Sequence, residues 1–151
     1  MRPAAPLAAL LLAATAAPAL AEGPAIHVLK TSGCGCCVAW MDHLKAHGFA
    51  VTAENVPGGT LVQHKIDSGV PPAMTSCHTA RVDGYVIEGH VPAADILRIL
   101  SERPAAVGLA VPGMPFGSPG MGPESRREAY DVHLIGPAGT TEIFTRYDAA
   151  G

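Results

Sequence analysis

Four cysteines carry the most reactive chemistry in this 151-residue sequence, and three of them crowd into Cys34-Gly35-Cys36-Cys37. Thiolates are soft ligands that select Cu(I), Zn(II) or iron–sulfur chemistry. Neighbours such as Cys36 and Cys37 cannot comfortably clasp one ion together, but they can each hold one of two adjacent ions. The spacing therefore favours a multinuclear cluster. Zinc more often uses paired C-x2-C knuckles or a Cys/His set, and this sequence has a single knuckle. A disulfide between Cys34 and Cys37, with two thiols left over, is the competing structural explanation. A thiol–disulfide oxidoreductase working through the same C-x-x-C pair is the competing function, although Cys36 inside the motif would invite scrambling. A copper-linked redox protein would combine the two chemistries.

The fourth cysteine is remote, in Cys77-His78. Cys77 is the expected fourth ligand. In a regular strand His78 points to the opposite face, so only one of the pair should easily face a common site unless a bulge intervenes. Met114 and Met121 recur in Pro112-Gly113-Met114 and Pro119-Gly120-Met121. Thioethers suit Cu(I) far better than Zn(II), and no core-packing pattern explains these two methionines. The metal set is thus Cys34, Cys36, Cys37, Cys77, Met114 and Met121. Met41 and Met74 follow helix and strand periodicity and read as core. His43 and His47 have i, i+4 spacing but read as a solvated helix flank, and His90 as a cap or lining of the site. No Ser/His/Asp triad, paired-carboxylate set or dinucleotide fingerprint is present.

The elements that must place these side chains follow from periodicity. Ile26–Lys30 alternates as a strand, and Cys37–His47 has one apolar helical face through Trp40, Met41 and Leu44. The cysteine motif then lies where the first strand meets the first helix. The helix dipole and unsatisfied N–H groups there favour thiolate over thiol. Phe49–Val56 reads as a strand and Thr60–Ser68 as a short helix. After Val70-Pro71-Pro72 comes a strand from about Met74 to Val82, an Asp83-Gly84 hairpin turn, and a return over Tyr85–Glu88. Pro92–Arg103 is a helix stopped by Pro104. Residues 104–123 form a Pro/Gly/Met-rich loop, and two strands around Gly136–Gly139 close the chain. The order predicts an α/β, thioredoxin-like mixed sheet flanked by helices, with a C-terminal β-hairpin extension. By that analogy Pro71 sits where the fold usually carries a cis-proline.

Arg2, the apolar run Leu7–Ala17 and Ala19-Leu20-Ala21 predict a cleavable signal peptide over residues 1–21, leaving 22–151 as one domain. The leader implies export to the periplasm. No later stretch is apolar enough to span a membrane. Net charge is −3 over the whole chain with histidines neutral, and no Lys/Arg run exists, so nucleic acid is excluded as a partner.

Several stretches resemble a known family, the CopG-type periplasmic copper-resistance proteins, long a domain of unknown function. They are Lys30-Thr31, Cys34-Gly35-Cys36-Cys37, Trp40, His43-Leu44, Gly69-Val70-Pro71, Ser76–Ala80, Gly84–Pro92, Gly108–Pro115 and Gly117–Met121. The resemblance runs from about Ile26 to Tyr147. It implies a thioredoxin-like fold, copper handling in the periplasm alongside other copper-handling proteins, and a site that includes Cys34, Cys36, Cys37 and Cys77, with Met114 and Met121.

Overall fold

A computed structural model describes residues 23–151, so the predicted signal peptide lies outside the described residues. The chain runs β1 (Ala25–Lys30), α1 (Gly35–Ala46), β2 (Ala50–Asn55), α2 (Gly58–Asp67), β3 (His78–Val82), β4 (Tyr85–Glu88), α3 (Ala93–Glu102), β5 (Gly108–Ala110), β6 (Tyr130–Ile135) and β7 (Thr141–Tyr147). All seven strands join one sheet in the order β2-β1-β3-β4-β5-β6-β7. β1 pairs with β2 in parallel and with β3 antiparallel, and β3 and β4 form a hairpin. The molecule is mixed α/β, and the β2-β1-β3-β4 half is compatible with the expected thioredoxin-like layout.

The expected C-terminal hairpin extends this same sheet. β5, three residues long, pairs in parallel with β4 and antiparallel with β6. It carries the sheet on into the β6–β7 hairpin, whose register is interrupted by a bulge between Val132 and His133. Gly108-Leu109-Ala110 is too short and too uniformly buried to show alternation, so periodicity alone placed it in a loop.

Side-chain alternation sorts the sheet into two faces. Ile26, Val28, Ala80, Val82, Tyr85 and Ile87 pack with Trp40, Met41 and Leu44 of α1 and with Ala93, Ile96 and Ile99 of α3. The opposite face carries a smaller cluster of Val70, Val86, Ala110 and Ile135. There, Lys65 of α2 reaches Thr79 and Glu88. Asp95 in the first turn of α3 accepts hydrogen bonds from Thr145 and from Tyr147 (2.7 Å), which ties β7 to the helix.

Two local expectations change. The strand expected from Met74 begins only at His78, because Pro72–Met74 forms a 3-10 turn after Pro71. Pro71 is trans, as is every peptide bond among the described residues. Its carbonyl accepts the Met74 N–H at 2.8 Å, so Pro71 opens that turn instead of leading straight into a strand.

Candidate metal centre

Cys34 occupies the amino-terminal cap of α1 with φ −74° and ψ 91°, and its side chain makes no capping bond. The helix then rotates Cys36 and Cys37 apart. Cys37 is fully buried against the sheet, whereas Cys36 stays half-buried at the rim. Cys34 and Cys37 are joined in a disulfide, the pairing weighed above against metal binding. Cys36 and Cys77 are free thiols. All four sulfurs become available as thiolates only after that bond takes up two electrons.

Cys77 reaches the same spot from the start of β3, the strand beside β1. Its sulfur lies 3.6 Å from Cys37 Sγ and 3.9 Å from Cys36 Sγ, while Cys36 Sγ lies 3.5 Å from Cys34 Sγ. The four sulfurs fall within 4.8 Å of one another. A second group, Cys77, His78 and His90, meets the same limit. The expectation that Cys77 and His78 diverge is therefore corrected. Cys77 precedes β3, so strand alternation does not govern it, and its Sγ lies 3.3 Å from His78 Nδ1.

Two imidazoles adjoin the Cys77 sulfur. His90 Nδ1 lies 2.7 Å from the Pro119 carbonyl, which can only accept, so Nδ1 carries the proton. Nε2 then presents its lone pair to Cys77 Sγ at 3.2 Å. This is the arrangement in which a backbone carbonyl fixes the tautomer of a metal-binding imidazole. His78 is fully buried against Trp40, and its Nε2 has no hydrogen-bond partner. Burial pulls both imidazoles below the ordinary range, for His78 well below it, with His90 and Lys65 repelling the added charge on His78. An orphaned buried nitrogen is costly unless something fills it. Burial, together with the nearby Cys36 thiol, pushes Cys77 up to about 11. A metal bound there would have to displace a proton.

α1 also holds the His90 segment. Trp40 Nε1 donates to the Val91 carbonyl at 2.8 Å, and the Ala93 N–H donates to His43 Nε2 at 3.2 Å. His43 is thus an amino-terminal cap for α3, not the solvated flank that its spacing suggested. His47 instead donates Nδ1–H to the His43 carbonyl at 2.8 Å.

The methionine loop wraps this assembly. The Gly113 N–H donates to the Thr75 carbonyl at 3.0 Å, and Ser76 Oγ donates to the Gly113 carbonyl. Gly120, at φ 84°, lies so close to α1 that a Cβ would sit 2.6 Å from Trp40 N and 2.8 Å from the Cys36 carbonyl oxygen. Met114 follows Gly113 and is 54% exposed, whereas Met121 follows Gly120 and is half-buried. Met41 and Met74 are buried and half-buried in the two hydrophobic clusters, in keeping with their core reading.

Sequence reasoning missed one feature beneath the site. Glu88 is fully buried, and its Oε1 accepts from Lys65 Nζ at 2.5 Å and from the Ser76 N–H at 2.7 Å. Its Oε2 accepts from Thr79 Oγ1 at 2.6 Å. Burial raises the Glu88 carboxyl, and Lys65 opposes that rise. A lone acidic residue in the apolar run Tyr85-Val86-Ile87-Glu88 was the signal available.

A family profile described as "Protein of unknown function, DUF411" matches residues 74–121, a span holding Cys77, His78, His90 and both loop methionines. A solved structure described as "Copper resistance protein copG- Form 1" aligns with a TM-score of 0.76 and 47% identity over 83% of this chain and 98% of that one. The chain belongs to the CopG copper-resistance family. A second CopG structure, "Copper resistance protein copG- Form 2", gives a TM-score of 0.75 and 48% identity over 82% of this chain and 98% of that one. No curated protein matches. The cysteine cluster of this chain and its likeness to CopG together support a copper-related function. Among the described residues, no helix is long and apolar enough to cross a membrane.

Proposed function

We infer that this protein holds Cu(I) as its cargo in the periplasm, as a multinuclear thiolate cluster serving copper resistance. One observation carries this reading: four cysteine sulfurs lie within 4.8 Å of one another, and Cys77 is shared with a neighbouring group containing His78 and His90. A dense soft-donor set of that kind suits Cu(I). Cys34, Cys36, Cys37 and Cys77 form the thiolate part, with Met114 and Met121 as thioether donors from the loop. His78 and His90 would add nitrogen donors. Residues 1–21 serve as the export signal, and other periplasmic copper-handling proteins deliver or receive the ion.

Anaerobic titration of the reduced protein with cuprous ion, followed by native mass spectrometry, tests this. More than one copper per chain is expected, with ultraviolet thiolate-to-copper absorption. A reduced protein that takes up none would defeat the reading.

The Cys34–Cys37 disulfide at the head of α1 favours one alternative, a thiol–disulfide oxidoreductase. In that reaction a substrate dithiol gives two electrons and two protons to the Cys34–Cys37 bond and becomes a disulfide. Turnover of a dithiol or disulfide substrate by copper-free protein would support it. The crowding of Cys36 and Cys77 against that bond argues for the metal reading.

A further inference from the structure

We propose that Glu88 is a positioning residue, its carboxylate fixing the Ser76 amide and thereby the place of the Cys77 sulfur. The proposal rests on the copper reading of the same site.

The segment from Thr75 to Cys77 lies outside every strand, so no β-ladder holds it. The Ser76 N–H, which immediately precedes Cys77, donates to Glu88 Oε1 at 2.7 Å and to no backbone carbonyl. Three consecutive residues meet the segment. Glu88 takes the Ser76 amide. Gly89, at φ 71°, is so close that a Cβ would stand 2.5 Å from Ser76 Cβ and 2.6 Å from the Val111 carbonyl oxygen. His90 Nε2 faces Cys77 Sγ at 3.2 Å. A shift of Glu88 would therefore move Cys77 relative to both the other thiols and His90.

Stability alone does not account for the pair. Lys65 and Glu88 are 5% and 0% exposed, and an apolar pair of similar size usually serves a buried site as well or better. Lys65 bonds both Glu88 Oε1 (2.5 Å) and Thr79 Oγ1 (2.7 Å), and Thr79 bonds Oε2, so the carboxylate cannot turn. The network acts as a clamp whose working end is the amide beside the metal-binding thiol.

The test compares three reduced, oxygen-free proteins: wild type, Lys65→Met/Glu88→Gln and Lys65→Met/Glu88→Leu. The glutamine pair keeps a carbonyl oxygen for Ser76 without the charge, whereas the leucine pair leaves that amide unbonded. Cuprous ion is titrated against a cuprous chelator, with thiolate-to-copper absorption and the melting temperature of each copper-free protein recorded. The glutamine pair is expected to retain copper within about twofold of wild type, and the leucine pair to lose about ten- to a hundredfold with an altered absorption band. Both variants should melt close to wild type. Wild-type copper retention and absorption in the leucine pair overturn the proposal. Equal loss in both variants overturns it too, because charge and not the bond to Ser76 would then matter.

Should the leucine pair fail to fold, hydrogen exchange of the Ser76 amide in wild type decides. Protection matching the β3 amides is expected, and exchange at the rate of an exposed loop overturns the clamp. A wild type that binds no copper defeats the copper reading alone. Cys77 alkylation in the reduced proteins then carries the test: faster in the leucine pair if Glu88 places the thiol, unchanged if it does not.

Discussion

The two sides of the sulfur cluster are built differently. Cys34, Cys36 and Cys37 hang on the first turn of one helix, and two of them are tied in a disulfide. Cys77, His78 and His90 come from the far ends of β3 and β4, with His78 and His90 fully buried. The first side changes its donor number with oxidation state. The second keeps one thiol and two neutral imidazoles whatever happens to Cys34 and Cys37. A helix head brings donors together cheaply because neighbours in sequence are neighbours in space. A sheet-end site needs long-range pairing, and in return it is rigid.

Cys77 belongs to both sides, so Cys77→Ser should disable both at once. Copper retention against a cuprous chelator is expected to fall about a hundredfold or more, in reduced and oxidised protein alike. Retention that falls only in the reduced protein would show that the imidazole side binds nothing by itself.

Cys36→Ser should weaken the helix side alone. It removes a bridging thiolate while leaving Cys77, His78 and His90 in place. Native mass spectrometry is expected to show fewer coppers per chain, with about a tenfold weaker hold on those that remain. Unchanged stoichiometry would make Cys36 a bystander.

The smallest effect concerns the buried side without metal. Burial holds His78 well below the ordinary imidazole value of 6.5. His43, His64 and His90 shift the same way, and only Glu88, raised by burial, opposes them. Below 6.5 the unfolded chain takes up protons that the folded imidazoles refuse. The contribution of His78 is therefore complete above that value and is lost as pH falls, by at most about 1.4 kcal/mol per pH unit. Urea unfolding of copper-free protein on either side of that value should show lower stability on the acid side. Equal stability would mean that the folded imidazoles bind protons as readily as those of the unfolded chain.

The helix-head side was legible in the sequence, because thiol density, spacing and helical periodicity are all local signals. Cys77 was legible as a fourth sulfur, but the company it keeps was not. A strand start displaced to His78 by the Pro72–Met74 turn removed the alternation that should have separated the two side chains. His43 looked solvated because its partner, the Ala93 amide, is fifty residues away along the chain. Lys65 and Glu88 were invisible as a pair for the same reason: nothing local says that a charge in a helix and a charge in a strand will share one buried spot. β5 escaped because three buried residues have no period to detect.

The long loop between β5 and β6 is stitched down along its length, through Gly113 to Thr75, Pro119 to His90, Gly117 to Met121 and Glu128 to Phe116. Its conformational freedom is therefore surrendered when the chain folds, not when an ion arrives. Capture needs no segment to come to order first. On the copper reading, once the Cys34–Cys37 bond is reduced, the rate of loading should be governed by ligand exchange with the donor and not by any closing motion of the protein.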